Sequence, residues 1–259
     1  MSATNTDVPA LEARGLLQRF GGLTAVDDLS LVVQPGAITG LIGPNGAGKT
    51  TVLNILGGLQ RPTAGTVHVD GRNVTGWSPD RRARSARLVR TFQTMRLFPT
   101  MTVMENVLTA ASAANPRGDA MAATREAVHR LGLDDVRETL ASTLPYGRQR
   151  RVEIARAISA QPKVLLLDEP AAGLSPRERQ ELAELLGELN RDGVAILLVE
   201  HHMDLVHAVC SEVTVIDFGR PIFHGTVADA MADEAVLRSY LGPGQELPDP
   251  SLSVTEGAV

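Results

Sequence analysis

The chain has 259 residues, 43% of them hydrophobic, with 25 basic and 30 acidic side chains and a net charge of −5. That is enough for one large domain or two small ones with a sizeable core, and the acidic balance argues against a nucleic-acid-binding surface. The single cysteine, Cys210, rules out an internal disulfide and reads as a small buried apolar residue in a reducing compartment. Residues 1–9 lack the apolar core of a signal peptide. The longest apolar runs, 164–167 and 194–199, are too short to span a bilayer, so a soluble protein is expected that meets a membrane only through a partner.

Residues 1–10 read as a disordered tail. Residues 11–33 hold two strand-like runs around Gly21-Gly22. Thr66-Val67-His68-Val69-Asp70 alternates like a third and ends in the turn signal Asp70-Gly71. Between them, residues 37–42 (AITGLI) suit a buried strand and residues 43–50 (GPNGAGKT) fit G-x-x-x-x-G-K-[ST]. Val52, Leu53, Ile55, Leu56 and Leu59 follow at helical spacing. A strand, a glycine loop and a helix form the setting in which backbone N–H groups and a helix N-terminus take up phosphate. Gly43, Pro44, Asn45, Gly46, Ala47, Gly48, Lys49, Thr50 and Thr51 are therefore the nucleotide-binding candidates. Lys49 would reach the outer phosphates and the Thr50 hydroxyl would hold Mg²⁺.

Residues 80–90 carry five arginines and no acid after Asp80, the pattern of a solvated helix face. Thr102-Val103-Met104-Glu105 opens a helix with a capping box, and residues 119–131 and 147–160 give two more helices. Residues 163–167 suit a parallel strand buried on both faces and run into Asp168-Glu169. Strand ends carry the ligand chemistry of α/β sheets, so Asp168 suits a Mg²⁺ shell and Glu169 can accept a proton from water. Ser175-Pro176-Arg177-Glu178 caps a helix that reaches about Asn190, and two further buried strands occupy 194–199 and 213–217. Residues 242–259 read as a flexible tail. The alternation of strand and helix after Gly36 predicts an α/β fold with a mostly parallel sheet, interrupted by an inserted helical subdomain over about 94–145.

With these motifs in place, the chain resembles the ATP-binding subunits of ATP-binding cassette (ABC) transporters over about residues 11–241. Leu144-Pro145-Tyr146-Gly147-Arg148-Gln149 resembles the family signature, usually Leu-Ser-Gly-Gly-Gln. The resemblance implies that Tyr146, Gly147, Arg148 and Gln149 touch ATP held by the opposite subunit. Thr91-Phe92-Gln93 resembles the Q-loop, which implies that Gln93 contacts Mg²⁺ and the attacking water. His201 resembles the switch histidine at the γ-phosphate, Phe20 the aromatic that stacks on adenine, and residues 171–175 the D-loop. Read from the residues alone, Phe20 also fits a core aromatic, Gln93 a strand end, and His202 stands as the alternative to His201. The fold implied is a P-loop NTPase (RecA-like) core with an N-terminal antiparallel β subdomain and an inserted α-helical subdomain.

The Tyr-Gly signature, the runs RTFQTMRLFPTMTVMENV and LDEPAAGLSP, and VEHHM with a closing SYLG resemble the ATPase subunits of branched-chain amino acid importers. The helical subdomain is shorter than usual in that branch. This implies an ATPase using ATP and Mg²⁺, peripheral on the cytoplasmic face of the cell membrane. Its partners would be a second ABC ATPase subunit, identical or not, transmembrane permease subunits and, indirectly, a solute-binding protein, with no nucleic acid. The ATPase of a lipopolysaccharide-type exporter is the alternative, and a cassette ATPase outside transport a further one. Pro145 departs from the pattern where the family usually has Ser. It carries neither a hydroxyl nor a backbone N–H, which implies a weaker ATP site at this signature.

Overall fold

The computed structural model describes residues 8–114 and 118–241. It opens with an antiparallel hairpin, β1 (Leu11–Phe20) and β2 (Leu23–Val33). β3 (Ile38–Ile42) leads through the glycine loop into α1 (Lys49–Leu56). β4 (Ala64–Val69) then returns beside β1 and turns into the two-residue β5 (Arg72–Asn73). Asp70 and Gly71 both take positive φ (47° and 73°), the handedness that a two-residue hairpin turn needs. These strands form an antiparallel sheet ordered β2-β1-β4-β5.

The rest alternates. α2 (Pro79–Ala86) and β6 (Leu88–Arg90) precede three helices, α3 (Val103–Ala114), α4 (Ala120–Arg130) and α5 (Tyr146–Ser159). Then come β7 (Val164–Asp168), α6 (Pro176–Arg191), β8 (Ala195–Val199), α7 (Met203–Val209) and β9 (Glu212–Asp217). β10 (Arg220–Gly225), α8 (Val227–Ala232) and α9 (Glu234–Leu241) close the described chain. The second sheet runs β10-β9-β3-β8-β7-β6, parallel except at β10. α7, β10, α8 and α9 have no counterpart in the sequence reading. They are short, and periodicity is a weak signal over so few residues.

The continuous apolar strands are buried on both faces, which is why they do not alternate in polarity. In β7, Val164 and Leu166 join the core shared with α1 and the antiparallel sheet, while Leu165 and Leu167 join the core shared with α5 and α6. In β8, Leu197 and Val199 face the first core and Ile196 and Leu198 the second. Each such side chain contributes roughly 1.5–3 kcal/mol by leaving water. The helical insert and the helix that follows it continue the second core: Val103 and Val107 of α3, Ala127 and Val128 of α4 and Val152 of α5 belong to it. Its first helix starts with the expected capping box, Glu105 N–H donating to Thr102 Oγ1 (3.2 Å) and Thr102 N–H to Glu105 Oε2 (2.8 Å). No helix among the described residues is long and apolar enough to cross a membrane.

Two expectations need correction. Of the tail expected over 1–10, residues 1–7 lie outside the described residues, as do 242–259. Ala10, however, is buried and its carbonyl accepts the Asp70 N–H (3.2 Å). The arginine run is only partly a solvated face: Arg81, Arg84 and Arg87 are exposed, but Arg82 is 0% exposed. The Arg82 guanidinium donates to the carbonyls of Ile55 (2.7 Å), Leu56, Thr75 (3.0 Å) and Trp77 (3.2 Å). The first two belong to the last turn of α1, where carbonyls have no partner within the helix and the helix dipole favours a cation. Burial pushes Arg82 down to about 10, which still leaves it charged at neutral pH.

Arg82→Ala should therefore orphan several buried carbonyls and cost about 3 kcal/mol or more of folding free energy. Urea unfolding measures this; a loss below about 1 kcal/mol would contradict the role assigned to the guanidinium.

Candidate nucleotide site

The glycine loop between β3 and α1 is shaped by close backbone contacts. Gly43 (φ 148°) leaves no room for a Cβ against the Ile216 carbonyl, and a Cβ on Gly48 (φ 104°) would lie 2.5 Å from the Ala25 carbonyl. The loop is thus wedged between β9 and β2, with its N–H groups and the start of α1 opening on one side. Lys49 is 8% exposed, and its ammonium donates to the carbonyls of Gly43 (2.6 Å) and Pro44 (2.9 Å). Burial draws its pKa below the ordinary lysine value, with Glu169 and Asp168 pulling it back up. Thr50 is exposed and Thr51 half-buried on the first turn of α1.

Asp168 ends β7 and Glu169 follows it. Asp168 is 3% exposed and accepts a hydrogen bond from Arg90 Nη2 (3.0 Å). Glu169 takes a left-handed backbone conformation (φ 47°), uncommon outside glycine and costing on the order of 1 kcal/mol, so its side chain leaves the line of the strand. Its Oε2 accepts from Gln93 Nε2 (2.8 Å) and its Oε1 lies 3.9 Å from His201 Nδ1. Gln93, Glu169 and His201 therefore converge, although they come from three separate stretches of chain. Of the two histidines, His202 Nδ1 sits 3.0 Å from Glu200 Oε2, while His201 Nδ1 lies 3.8 Å from Glu200 Oε2 and 3.9 Å from Glu169 Oε1.

Phe20 is 50% exposed at the end of β1 and belongs to none of the hydrophobic cores, so it is not a core aromatic. It pairs with Leu23, two residues before the Ala25 that touches Gly48, so this hairpin end adjoins the glycine loop. The signature residues stand at the start of α5. Pro145 is the N-cap of α5, with no side-chain capping bond. Tyr146 lies where a side chain at Gly173 would sit, and a Cβ on Gly147 would overlap the Glu178 carboxylate. Arg148 pairs with Asp135 (2.7 Å), and Gln149 Nε2 donates to the Leu144 carbonyl (2.8 Å). Among the described residues, no hydrogen bond joins Tyr146, Gly147, Arg148 or Gln149 to Gly43, Pro44, Asn45, Gly46, Ala47, Gly48, Lys49, Thr50 or Thr51.

Two buried arginines of this site escaped the sequence reading. Arg90 spans from Asn54 Oδ1 on α1 (2.7 Å) to Asp168 on β7. Arg150 donates to the carbonyls of Phe92 (3.3 Å), Gln93 (3.2 Å) and Glu169 (3.4 Å) and pairs with Glu153 (2.6 Å), clamping the Gln93 segment to the end of β7. Arg90 was hidden in the arginine run, and Arg150 among the charges of an amphipathic helix. Arg90 follows the apolar pair Leu88-Val89, but nothing local marks Arg150, which stands between Gln149 and Arg151.

Residues 26–172 match the family model for ABC transporters. The chain belongs to the ABC transporter family. It is the nucleotide-binding, ATP-hydrolysing part of such a system, with the P-loop NTPase fold that the family resemblance implied. A high-affinity branched-chain amino acid transport ATP-binding protein of Salmonella typhimurium is 44% identical over 251 residues, 90% of this chain and 98% of that protein. An ATP-binding cassette of an ABC transporter, crystallised in its ADP conformation, superposes with a TM-score of 0.82 at 27% identity, covering 90% of this chain and 99% of that one. A dimeric cassette in a post-hydrolysis state, bound to ADP and Pi, gives a TM-score of 0.76 at 25% identity over 84% and 98%.

In an ABC ATPase the loop lysine is the group whose charge meets the outer phosphates. Lys49→Ala should leave the fold intact and abolish nucleotide binding. Calorimetric titration with ATP is the measurement, and an affinity within about threefold of the parent would remove Lys49 from the site.

Proposed function

We propose that this chain is the ATP-hydrolysing subunit of an importer for branched-chain or related hydrophobic amino acids. The geometry that carries the hydrolytic part is the convergence of Gln93 and His201 on Glu169, at the end of the strand that also presents Asp168. The amino acid part rests on the Salmonella relative, matched over nearly its whole length.

Phe20 stacks on adenine, and the backbone N–H groups of the glycine loop, from Gly43 to Thr51, surround the phosphates. Lys49 exchanges its loop carbonyls for phosphate oxygens, and its charge stabilises what builds up on the transferring phosphoryl group. Thr50, Gln93 and Asp168 offer a hydroxyl, an amide oxygen and a carboxylate, the hard oxygen donors that suit Mg²⁺. When bound, Mg²⁺ supplies charge neutralisation between the β- and γ-phosphates. Glu169 accepts a proton from the attacking water while Gln93 holds the carboxylate in place. The water oxygen then bonds to the γ-phosphorus, the bond to the β-phosphate oxygen breaks, and ADP and phosphate result. His201 holds the γ-phosphate side of the site.

The surface formed by Tyr146, Gly147, Arg148 and Gln149 faces ATP on a second ABC ATPase subunit, so that two chains arranged head to tail complete two sites. Its place at the head of α5, joined by no hydrogen bond to the chain's own glycine loop, supports this reading. The assembly sits on the cytoplasmic face of the membrane, docked to transmembrane permease subunits that receive substrate from a solute-binding protein. The cassette is taken as one unit over 11–241, with its helical subdomain at about 94–145 toward the permease.

Glu169→Gln keeps the shape and removes the proton acceptor. ATP should still bind with parental affinity while turnover falls by about 10²-fold or more; near-normal turnover would remove Glu169 as the general base. Pro145→Ser supplies the missing N-cap of α5 and a hydroxyl donor at the signature. It should stabilise the chain by about 0.5–1 kcal/mol in thermal unfolding and raise ATPase activity of the assembled dimer. A stabilised variant with unchanged activity would show that this branch does not use the hydroxyl.

A further inference from the structure

Glu200, the residue after β8, is 0% exposed, and no lysine or arginine lies within ion-pair range of it among the described residues. Its charge is held instead by backbone amides from two loops. Oε1 accepts the Ala171 N–H (2.8 Å), and Oε2 accepts the N–H groups of His201 (2.9 Å) and His202 (3.1 Å). His202 Nδ1 adds a further contact at 3.0 Å. A carboxylate can take several donors on its two oxygens; a hydroxyl or an amide of similar size cannot.

The placement of these donors matters. Ala171 lies two residues past Glu169, and His201 directly follows Glu200. Regular pairing of β7 with β8 ends at Asp168 opposite Val199, with one more backbone bond from the Glu169 N–H to the Val199 carbonyl (2.9 Å). Beyond that point both chains turn away into loops, and the Glu200 side chain is what joins them. At this point His201 Nδ1 lies 3.9 Å from Glu169 Oε1 and 3.8 Å from Glu200 Oε2.

We propose that Glu200 is a positioning residue that fixes His201 relative to Glu169 by binding the amides of both loops, with His202 as an additional donor that orients the carboxylate. The inference rests on the reading of Glu169 and His201 given above. A carboxylate serving only the packing of the core would affect stability but would act independently of His201.

The test is a double-mutant cycle in the full chain with Mg-ATP, comparing the parent, His201→Ala, Glu200→Gln and the double variant. Glutamine keeps the shape but turns an NH₂ group toward one of the two sets of amide donors. Glu200→Gln should lower kcat about tenfold with KM for ATP within about twofold, and should cost less than about twofold more in the His201→Ala background. Full additivity, or a KM change with kcat preserved, would overturn the inference. His201→Ala with parental turnover would remove the histidine's role, and the inference with it; that failure is visible in the single variant alone. Should Glu200→Gln not fold, hydrogen exchange on the parent chain reads the same contacts. The amides of Ala171, His201 and His202 should exchange as slowly as those inside β7 and β8, and rapid exchange would overturn the proposal.

Discussion

The geometry of the site is set by the parallel pairing of β3, β8 and β7. Val199 of β8 lies opposite Leu41 of β3 on one side and Asp168 of β7 on the other, so the three strands end within one residue of one another. A slip of one residue would turn every side chain of a strand to the opposite face, and both faces are apolar cores. Register is therefore held by the whole length of each strand, while chemistry is confined to the ends, where polar side chains no longer have to be buried in hydrocarbon. The glycine loop, the acidic pair and the histidine segment are three continuations of this one edge.

Buried arginines tie the edge to its surroundings. Arg82 closes the far end of α1, Arg90 links α1 to Asp168, and Arg150 holds the Gln93 segment against Glu169. Each uses the several donors of a planar guanidinium to satisfy groups from different elements at once, which a lysine ammonium with its single point of attachment would not match. In a chain whose net charge is −5, these cations lie inside, and Arg90 and Arg150 stand beside the residues expected to meet phosphate.

What could be read from the sequence was what depends on near neighbours. The glycine loop, the apolar run into Asp168-Glu169 and the capping boxes at Thr102 and Ser175 are written within a few residues, and they appear where expected. What could not be read depends on distant partners. Nothing in residues 80–90 separates Arg82 from Arg81, because its partners at Ile55 and Leu56 lie 27 and 26 residues away. Arg150 finds Phe92 across 58 residues for the same reason. Two adjacent histidines carry equal local signal, and only the position of Glu169 distinguishes them.

The Lys49 ammonium, engaged with the carbonyls of Gly43 and Pro44, gives the glycine loop an internal cation that stands where an external anion's counter-charge is needed. A phosphate that takes up this charge is then exchanged for two backbone carbonyls as acceptors of the same ammonium. Affinity for nucleotide would measure the difference between phosphate and carbonyl as partners of that one group.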